Sequence, residues 1–293
     1  MNHLTRAGRV FNAFNAGFLL LLALLCLFPL VNVLAVSLSS SSAAGAGLVT
    51  LWPVDFTLQS YEFVLNKPEF LRALLISVER LLLGTAINML LTITLAYPLS
   101  KEPAAFKGRT VYVWFFVVTI LVGGGLIPWY LIIQKLGLLG SIWALVLPGA
   151  VNVFNAVLLL NFYRGLPREL EEAAFVDGAG HWRILWSIYV PLSMPAIATL
   201  ILFSMVGHWN SWFDGLILMN SPSEYPLQSY LQTVVINRDL TLVTMSDAAT
   251  LAAVSDRTLK GAQIFLAALP IICVYPFLQR FFIKGIVVGS VKE

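Results

Sequence analysis

The 293-residue chain predicts an all-α, polytopic membrane protein with six transmembrane helices, and three observations carry that prediction. Apolar residues make up 59% of the chain and charged residues only 11%, against about 25% charged in soluble domains. The mean hydropathy is +0.85. Six mostly apolar runs, 16–38, 70–98, 110–134, 142–163, 193–219 and 260–282, are each long enough to cross a hydrocarbon core as a helix. None shows the alternation that a membrane barrel requires.

The first run follows Arg6 and Arg9, as a signal peptide would. Its apolar part, about 22 residues, exceeds the 7–15 of a cleavable segment, so it predicts a retained anchor. The serine-rich stretch "SLSSSSAAGAG" after it predicts a flexible exit from the membrane. Orientation follows from the loop cations. With a cytoplasmic N-terminus the inside segments hold Arg6, Arg9, Lys101, Lys107, Arg109, Arg164, Arg168, Arg183, Arg280, Lys284 and Lys292, and the outside loops only Lys67, Lys135, Arg238, Arg257 and Lys260. That excess places both termini inside. The chain then divides into residues 1–68 (cytoplasmic tail, first helix, external loop), a membrane core 69–282 with five helices and a long cytoplasmic loop 164–192, and a cytoplasmic tail 283–293.

Within the second run, Glu79 and Arg80 are adjacent charges in an apolar setting, where ionised groups are expensive. They either line a polar path or neutralise one another, with Arg72 one or two turns away. In the third run, Gly123-Gly124-Gly125 with Pro128 marks a break, usable as a hinge or as close helix packing. Asn88, Asn152 and Asn155 read as interhelical hydrogen-bonding groups or as path residues. The block "GHWNSWFDG" of the fifth run combines Trp209, Asn210, Trp212 and Asp214, aromatic faces with hydrogen-bonding groups that suit a sugar, although an interfacial aromatic belt is the better reading of Trp212. In the outside loop 220–259, Tyr225, Gln228 and Tyr230 suggest an ordered surface for a partner.

Several classes are excluded. Cys26 and Cys273 both fall in spans and read as small packing residues, and His3, His181 and His208 have no metal-ligand spacing. No GxxxxGK[ST] sequence occurs, so a P-loop is absent and no catalytic residue or metal site is assigned. No interleaved basic and aromatic pattern points to nucleic acid.

The strongly polar segment Pro167 to Ser193 is too long for a turn. Pro167 suits a first helical position, Glu169, Glu171 and Glu172 load the positive end of the helix dipole, and Gly178 supplies a left-handed stop. Trp182, Leu185, Trp186 and Tyr189 repeat on one face of a second short helix that Pro191 closes. An interfacial helix pair without a partner would show the same amphipathicity.

The residues themselves say more. Glu172-Ala173-Ala174, Gly178, Ile188 and Pro191 stand at the offsets of the EAA loop, with Val190 where leucine is usual. At residue frequencies of about 5–9%, six such matches have a chance probability on the order of 10⁻⁷ per starting position. The segment resembles the coupling loop of ABC-importer permeases, and "AYPLSK" (96–101), the block 123–167, "VGHWNSWFDG" (206–215) and "YPLQSYL" (225–231) resemble the carbohydrate-uptake subfamily, inner maltose-type permeases of the oligosaccharide and complex-saccharide branch. The likeness covers the chain from about residue 60.

The resemblance implies a type I ABC importer permease fold and a permease core within 69–282. It also implies a second homologous permease, a dimer of ATPase subunits that carries the ATP and Mg, and an extracytoplasmic solute-binding protein that delivers a saccharide. It assigns ATPase coupling to Glu172, Ala173, Ala174, Gly178, Ile188 and Pro191, with Asp177 beside the glycine. With that function in view, the polar and aromatic residues of the spans, Glu79, Arg80, Asn152, Asn155, Trp209, Asn210 and Asp214, are translocation-path candidates by their residue types. Tyr225, Gln228 and Tyr230 become candidates for binding-protein contact. An acidic oligosaccharide, such as an alginate or other uronate fragment, is the substrate suggested by the branch and by Arg80. The alternative is a secondary transporter driven by an ion gradient with Glu79 as its ion site, for which an inverted repeat is expected and none is found.

Overall fold

The computed structural model describes residues 6–236 and 255–290. Its regular elements are all helices, with no strand among the described residues. Three helices are long and apolar enough to span a membrane: α1 (Arg6–Ser37), α4 (Pro68–Ser100) and, after α2 (Ser41–Gly45) and α3 (Gln59–Leu65), the last helix α15 (Asp256–Ser290), through its portion Asp256–Pro276. Three further spans are bent pairs. α5 (Arg109–Leu121) meets α6 (Leu126–Lys135) at 116°, and α7 (Ile142–Val146) with its 3-10 extension to Gly149 meets α8 (Val153–Arg164) at 45°. After α9 (Glu169–Val176), the run His181–Leu192 meets α12 (Met194–Asn210) at 83°. That run consists of α10 (His181–Ile184), a π-turn Leu185–Tyr189 and α11 (Val190–Leu192). α13 (Phe213–Leu218) and α14 (Leu227–Leu231) complete the described elements.

Three predicted runs are therefore not straight, and run 142–163 bends between Gly149 and Val153. Run 110–134 breaks at its glycines: Gly125 sits at φ 81°, a left-handed value, and the 13 residues of α5 reach only about 20 Å, short of a hydrocarbon core of about 30 Å. Run 193–219 breaks at Ser211 and Trp212.

The chain forms two compact units. One combines residues up to Phe70 with Thr233–Leu269. Here the serine-rich stretch is ordered rather than flexible, because its hydroxyls find backbone partners. Ser40 caps α2 by accepting from the Ala43 N–H at 3.3 Å, Ser39 Oγ accepts from Val54 N at 3.0 Å, and Ser41 Oγ accepts from Ser255 N at 2.8 Å. Ala43 and Ala44 are buried with Ala35, Val36 and Val49. Gly261 of α15 lies close to α1, where an added Cβ would come within 3.2 Å of the Val33 carbonyl.

The other unit combines Leu71–Gln232 with residues from Pro270 onward. Its main core joins Met89, Ile93, Ala96 and Tyr97 of α4 to Leu159, Leu160 and Tyr163 of α8, to Ile184, Leu185 and Tyr189, and to Ile197 and Leu200 of α12. The second helix of the polar segment is thus built into the same core as α4.

A coupling surface and a polar cavity

The charged first turn of α9 carries Glu169, Glu171 and Glu172. Its end is a Schellman closure: Ala179 N donates to the Ala174 carbonyl at 2.9 Å and Gly178 N to the Phe175 carbonyl at 3.0 Å, with Gly178 at φ 77°. Ala174 and Ala179 pack together against the main core, which anchors the turn. Glu172, Ala173, Asp177 and Gly178 remain exposed, and a Cβ added at Gly178 would meet nothing within 4 Å. Ile188 packs on the core and Pro191 is exposed.

Large apolar side chains, Leu170, Phe175, Val176, Trp182 and Trp186, stand exposed along this segment. Val176 is 88% exposed and Trp182 68%. The predicted single face of the second helix is split. Leu185 and Tyr189 are buried while Trp182 and Trp186 are not, because the core takes Ile184, Leu185 and Tyr189 around a π-turn that shifts the helical register.

One side of the segment is tied to the end of α4. Lys101 Nζ donates to Glu171 Oε1 at 2.7 Å and to Tyr189 Oη at 3.0 Å, and Tyr189 Oη donates to Glu171 Oε2 at 2.6 Å. The ammonium lies 3.9 Å from the Tyr97 ring centroid and 4.2 Å from that of Tyr189. Tyr97 Oη is 3.1 Å from His181 Nδ1. A second pair, Arg168 with Glu102 at 2.5 Å, is solvent-exposed and contributes little.

Burial pushes Glu171 toward its neutral form, but the hydrogen bonds from Lys101 and Tyr189 outweigh it and hold the carboxyl below the ordinary glutamate range. Burial also pulls Lys101 down, against Glu171. The two short donor bonds and the two rings beneath the ammonium work against that lowering. A depressed carboxylate stabilises the folded form above the ordinary glutamate pKa, and that contribution is lost as pH falls through the lowered value. The melting temperature of the purified protein in detergent is therefore expected to drop on acidification. Glu171→Gln should lower it at neutral pH and flatten the acid limb; parallel acid limbs would contradict the assignment.

A cavity of about 330 Å³ lies at the opposite part of α4, lined by Arg80, Asn88, Asn152, Ser204, His208, Ser211 and Asp214 together with Trp129 and Phe203. Arg80, 3% exposed, forms an ion pair with Asp214 and donates from Nη1 to Asp214 Oδ1 at 3.1 Å and to the Ser211 carbonyl at 3.3 Å. The carbonyl freed where α12 stops is thereby satisfied by an arginine. Ser211 Oγ also donates to Asp214 Oδ1 at 2.8 Å. The ring of His208 packs on Gly84, where a Cβ would come within 2.5 Å of it. Asn88 donates to the Ala150 carbonyl at 3.2 Å and accepts from Asn155 Nδ2 at 3.5 Å.

Of the sequence candidates, Arg80, Asn152 and Asp214 meet in this cavity. Asn155 and Trp209 are buried beside it as packing groups, whereas Asn210 and Glu79 are exposed and do not line it. The suggested neutralisation of Arg80 by Glu79 is corrected: neighbouring positions on a helix diverge by about 100°. Arg80 instead turns inward to Asp214, while Glu79 and Arg72 face outward. Glu79 lies on the exposed face of α4.

Tyr230 is 5% exposed and offers no surface to a partner in this conformation; Tyr225 and Gln228 are half-buried. Their segment is held to α4 by Leu227 N donating to Ser77 Oγ at 2.7 Å, and to the break after α12 by Ser229 Oγ donating to the Trp212 carbonyl at 2.6 Å. His208, Ser204, Ser211 and Trp129 are cavity residues that sequence reasoning missed. Only the spacing of Ser204, His208 and Ser211, at four and three residues on one helical face, signals them.

Residues 81–288 match the family described as binding-protein-dependent transport system inner membrane component. Protein LplC of Bacillus subtilis (strain 168) is 41% identical over 99% of this chain and 97% of its own length. The polygalacturonan/rhamnogalacturonan transport system permease protein YtcP of the same organism is 37% identical over 97% of this chain and 99% of its own. Among solved structures, a chain of a bacterial ABC transporter involved in the import of the acidic polysaccharide alginate superposes with a TM-score of 0.88 at 32% identity, covering 96% of this chain and 100% of that one.

Proposed function

The chain belongs to the family of binding-protein-dependent transport system inner membrane components, and from that premise we propose that it is one of two permease subunits of an ATP-driven saccharide importer. The observation that carries this reading is the segment Glu169–Leu192. A Schellman-closed helix presents exposed small residues, Ala173 and Gly178, among exposed apolar side chains, while its other side is fused to the core of α4. Small residues let a partner's groove approach closely, and exposed Val176 and Trp182 supply apolar area for it to cover. The partner is a cytoplasmic ATPase that binds the ATP and Mg; Glu172, Ala173, Ala174, Asp177, Gly178, Ile188 and Pro191 form or support the surface it grips. Both termini are cytoplasmic, consistent with the loop cations. A second, homologous permease completes the pathway, and an extracytoplasmic binding protein delivers the substrate.

The substrate we propose is an acidic oligosaccharide. Two similar proteins, one named for polygalacturonan and rhamnogalacturonan transport and one described in alginate import, handle uronate-containing polymers. Deleting this chain from its native cell should abolish uptake of radiolabelled trigalacturonate or an alginate trisaccharide and spare uptake of a neutral monosaccharide. Undiminished uptake of both acidic probes in the deletion strain would remove the substrate proposal.

A further inference from the structure

The coupling segment has to move something, and the structure contains one element that reaches from it to the polar cavity. α4 carries Met89, Ile93, Ala96 and Tyr97 in the main core, and its other half carries Asn88, Arg80 and Ser77, which bond respectively to the Ala150 carbonyl, to Asp214 and to Leu227 N. Between Arg80 and Tyr97 the helix runs unbroken for about 25 Å. Its one weak point is Pro98, which removes a backbone donor in the last turn.

The polar knot grips α4 on both sides of that point. Tyr97 precedes Pro98 and meets His181 and the edge of Tyr189, with 5.0 Å between the two tyrosine rings. Lys101 follows Pro98 and meets Glu171 and Tyr189. Glu171 belongs to α9, whereas His181 and Tyr189 belong to the second helix of the segment, so both halves of the coupling segment are fastened to one end of one rod. Apolar contacts alone allow sliding, because their energy is insensitive to direction. A half-buried ammonium held by a carboxylate, a phenol and two rings fixes distance and angle together.

We infer that Lys101, Glu171 and Tyr189 are positioning residues for coupling: they make α4, and with it the Arg80–Asp214 pair in the cavity wall, follow the coupling segment when an ATPase displaces it. This rests on the proposed permease function and adds a residue-level transmission step. None of the three belongs to the EAA spacing, and without them the main core would hold the segment in place but let α4 lag behind it.

The test uses the full complex, with partner permease, ATPase and binding protein, in proteoliposomes. ATP hydrolysed and trigalacturonate imported are measured together for wild type, Lys101→Met, Glu171→Gln and Tyr189→Phe. The expected result is a rise of fivefold or more in ATP hydrolysed per saccharide imported for Lys101→Met and Glu171→Gln, in complexes that retain their ATPase subunits. A smaller rise is expected for Tyr189→Phe, and the charge exchange Lys101→Glu with Glu171→Lys should bring the ratio back toward wild type. A structural role alone would lower both quantities together through loss of complex. An unchanged ratio in intact complexes, or a ratio moved no further by the single variants than by the exchange, overturns the inference while leaving the permease reading standing. Absence of ATP-driven import by the wild type, for both trigalacturonate and an alginate trisaccharide, would overturn the proposed function on which the inference rests.

Discussion

Gly178→Leu is expected to leave the chain folded in the membrane and reduce saccharide import at least a hundredfold. Gly178 closes α9 at φ 77°, a backbone region that costs an ordinary residue roughly 1–2 kcal/mol. Such a penalty is small beside a core that contains Tyr163, Leu159 and Ile184, so insertion should survive. A Cβ there meets no atom of this chain, so the extra side chain would project outward from the surface assigned to the ATPase. Gly178→Ala separates the two effects, since it brings the strain without the bulk and should retain a large part of the import. The measurement is import together with the amount of ATPase recovered with the permease. Equal loss for alanine and leucine would mean that backbone strain, rather than an obstructed groove, is what matters.

The second large effect concerns Arg80 and Asp214. Arg80 is buried and Asp214 mostly so, their side chains 4% and 18% exposed at the cavity wall, with Arg80 Nε lacking a hydrogen-bond partner, and removing one member strands the other charge. Breaking one partner of such a buried pair costs about 3–5 kcal/mol, whereas removing both is often close to neutral. Arg80→Gln and Asp214→Asn are each expected to reduce the assembled complex several-fold; an asparagine Oδ1 can still accept from Ser211 Oγ and Gly215 N, so what Asp214→Asn removes is the charge opposite Arg80. The double variant should recover much of the assembly. Glu79→Gln, on the exposed face, should leave assembly near wild type. Complex recovered from detergent extracts decides the matter: a double variant no better than the worse single one would show that the two residues do not act as a pair.

Much of this architecture is legible in the residues because hydropathy and capping are local properties. The six apolar runs, the glycine break after Leu121 and the turn at Gly178 all follow from composition or from backbone preference at a single position. The cavity was harder to read because it is a tertiary object. Arg80 and Asp214 are 134 residues apart, and adjacency in sequence favoured Glu79, which a helix turns away. His208 looked isolated because Gly84, the residue it packs on, carries no side chain to announce the contact. In the sequence Lys101 counts only as a cytoplasmic cation and Glu171 only as a charge at a helix N-terminus; the packing of α9 beside the end of α4 makes them a pair. The serine-rich exit misled in another way, since a flexible composition becomes an ordered one when each hydroxyl has a backbone group within reach.

A partner's ATP hydrolysis, rather than an ion gradient, is proposed to move this chain. This is tested most directly by import of trigalacturonate into proteoliposomes that contain the chain with its partner permease and ATPase, with loaded binding protein outside. ATP is enclosed or omitted, and proton and sodium gradients are collapsed with ionophores. Import is expected to require enclosed ATP and to persist when both gradients are gone. Import that continues without ATP and stops when a gradient is collapsed would contradict that proposal and return Glu79 to consideration as an ion site.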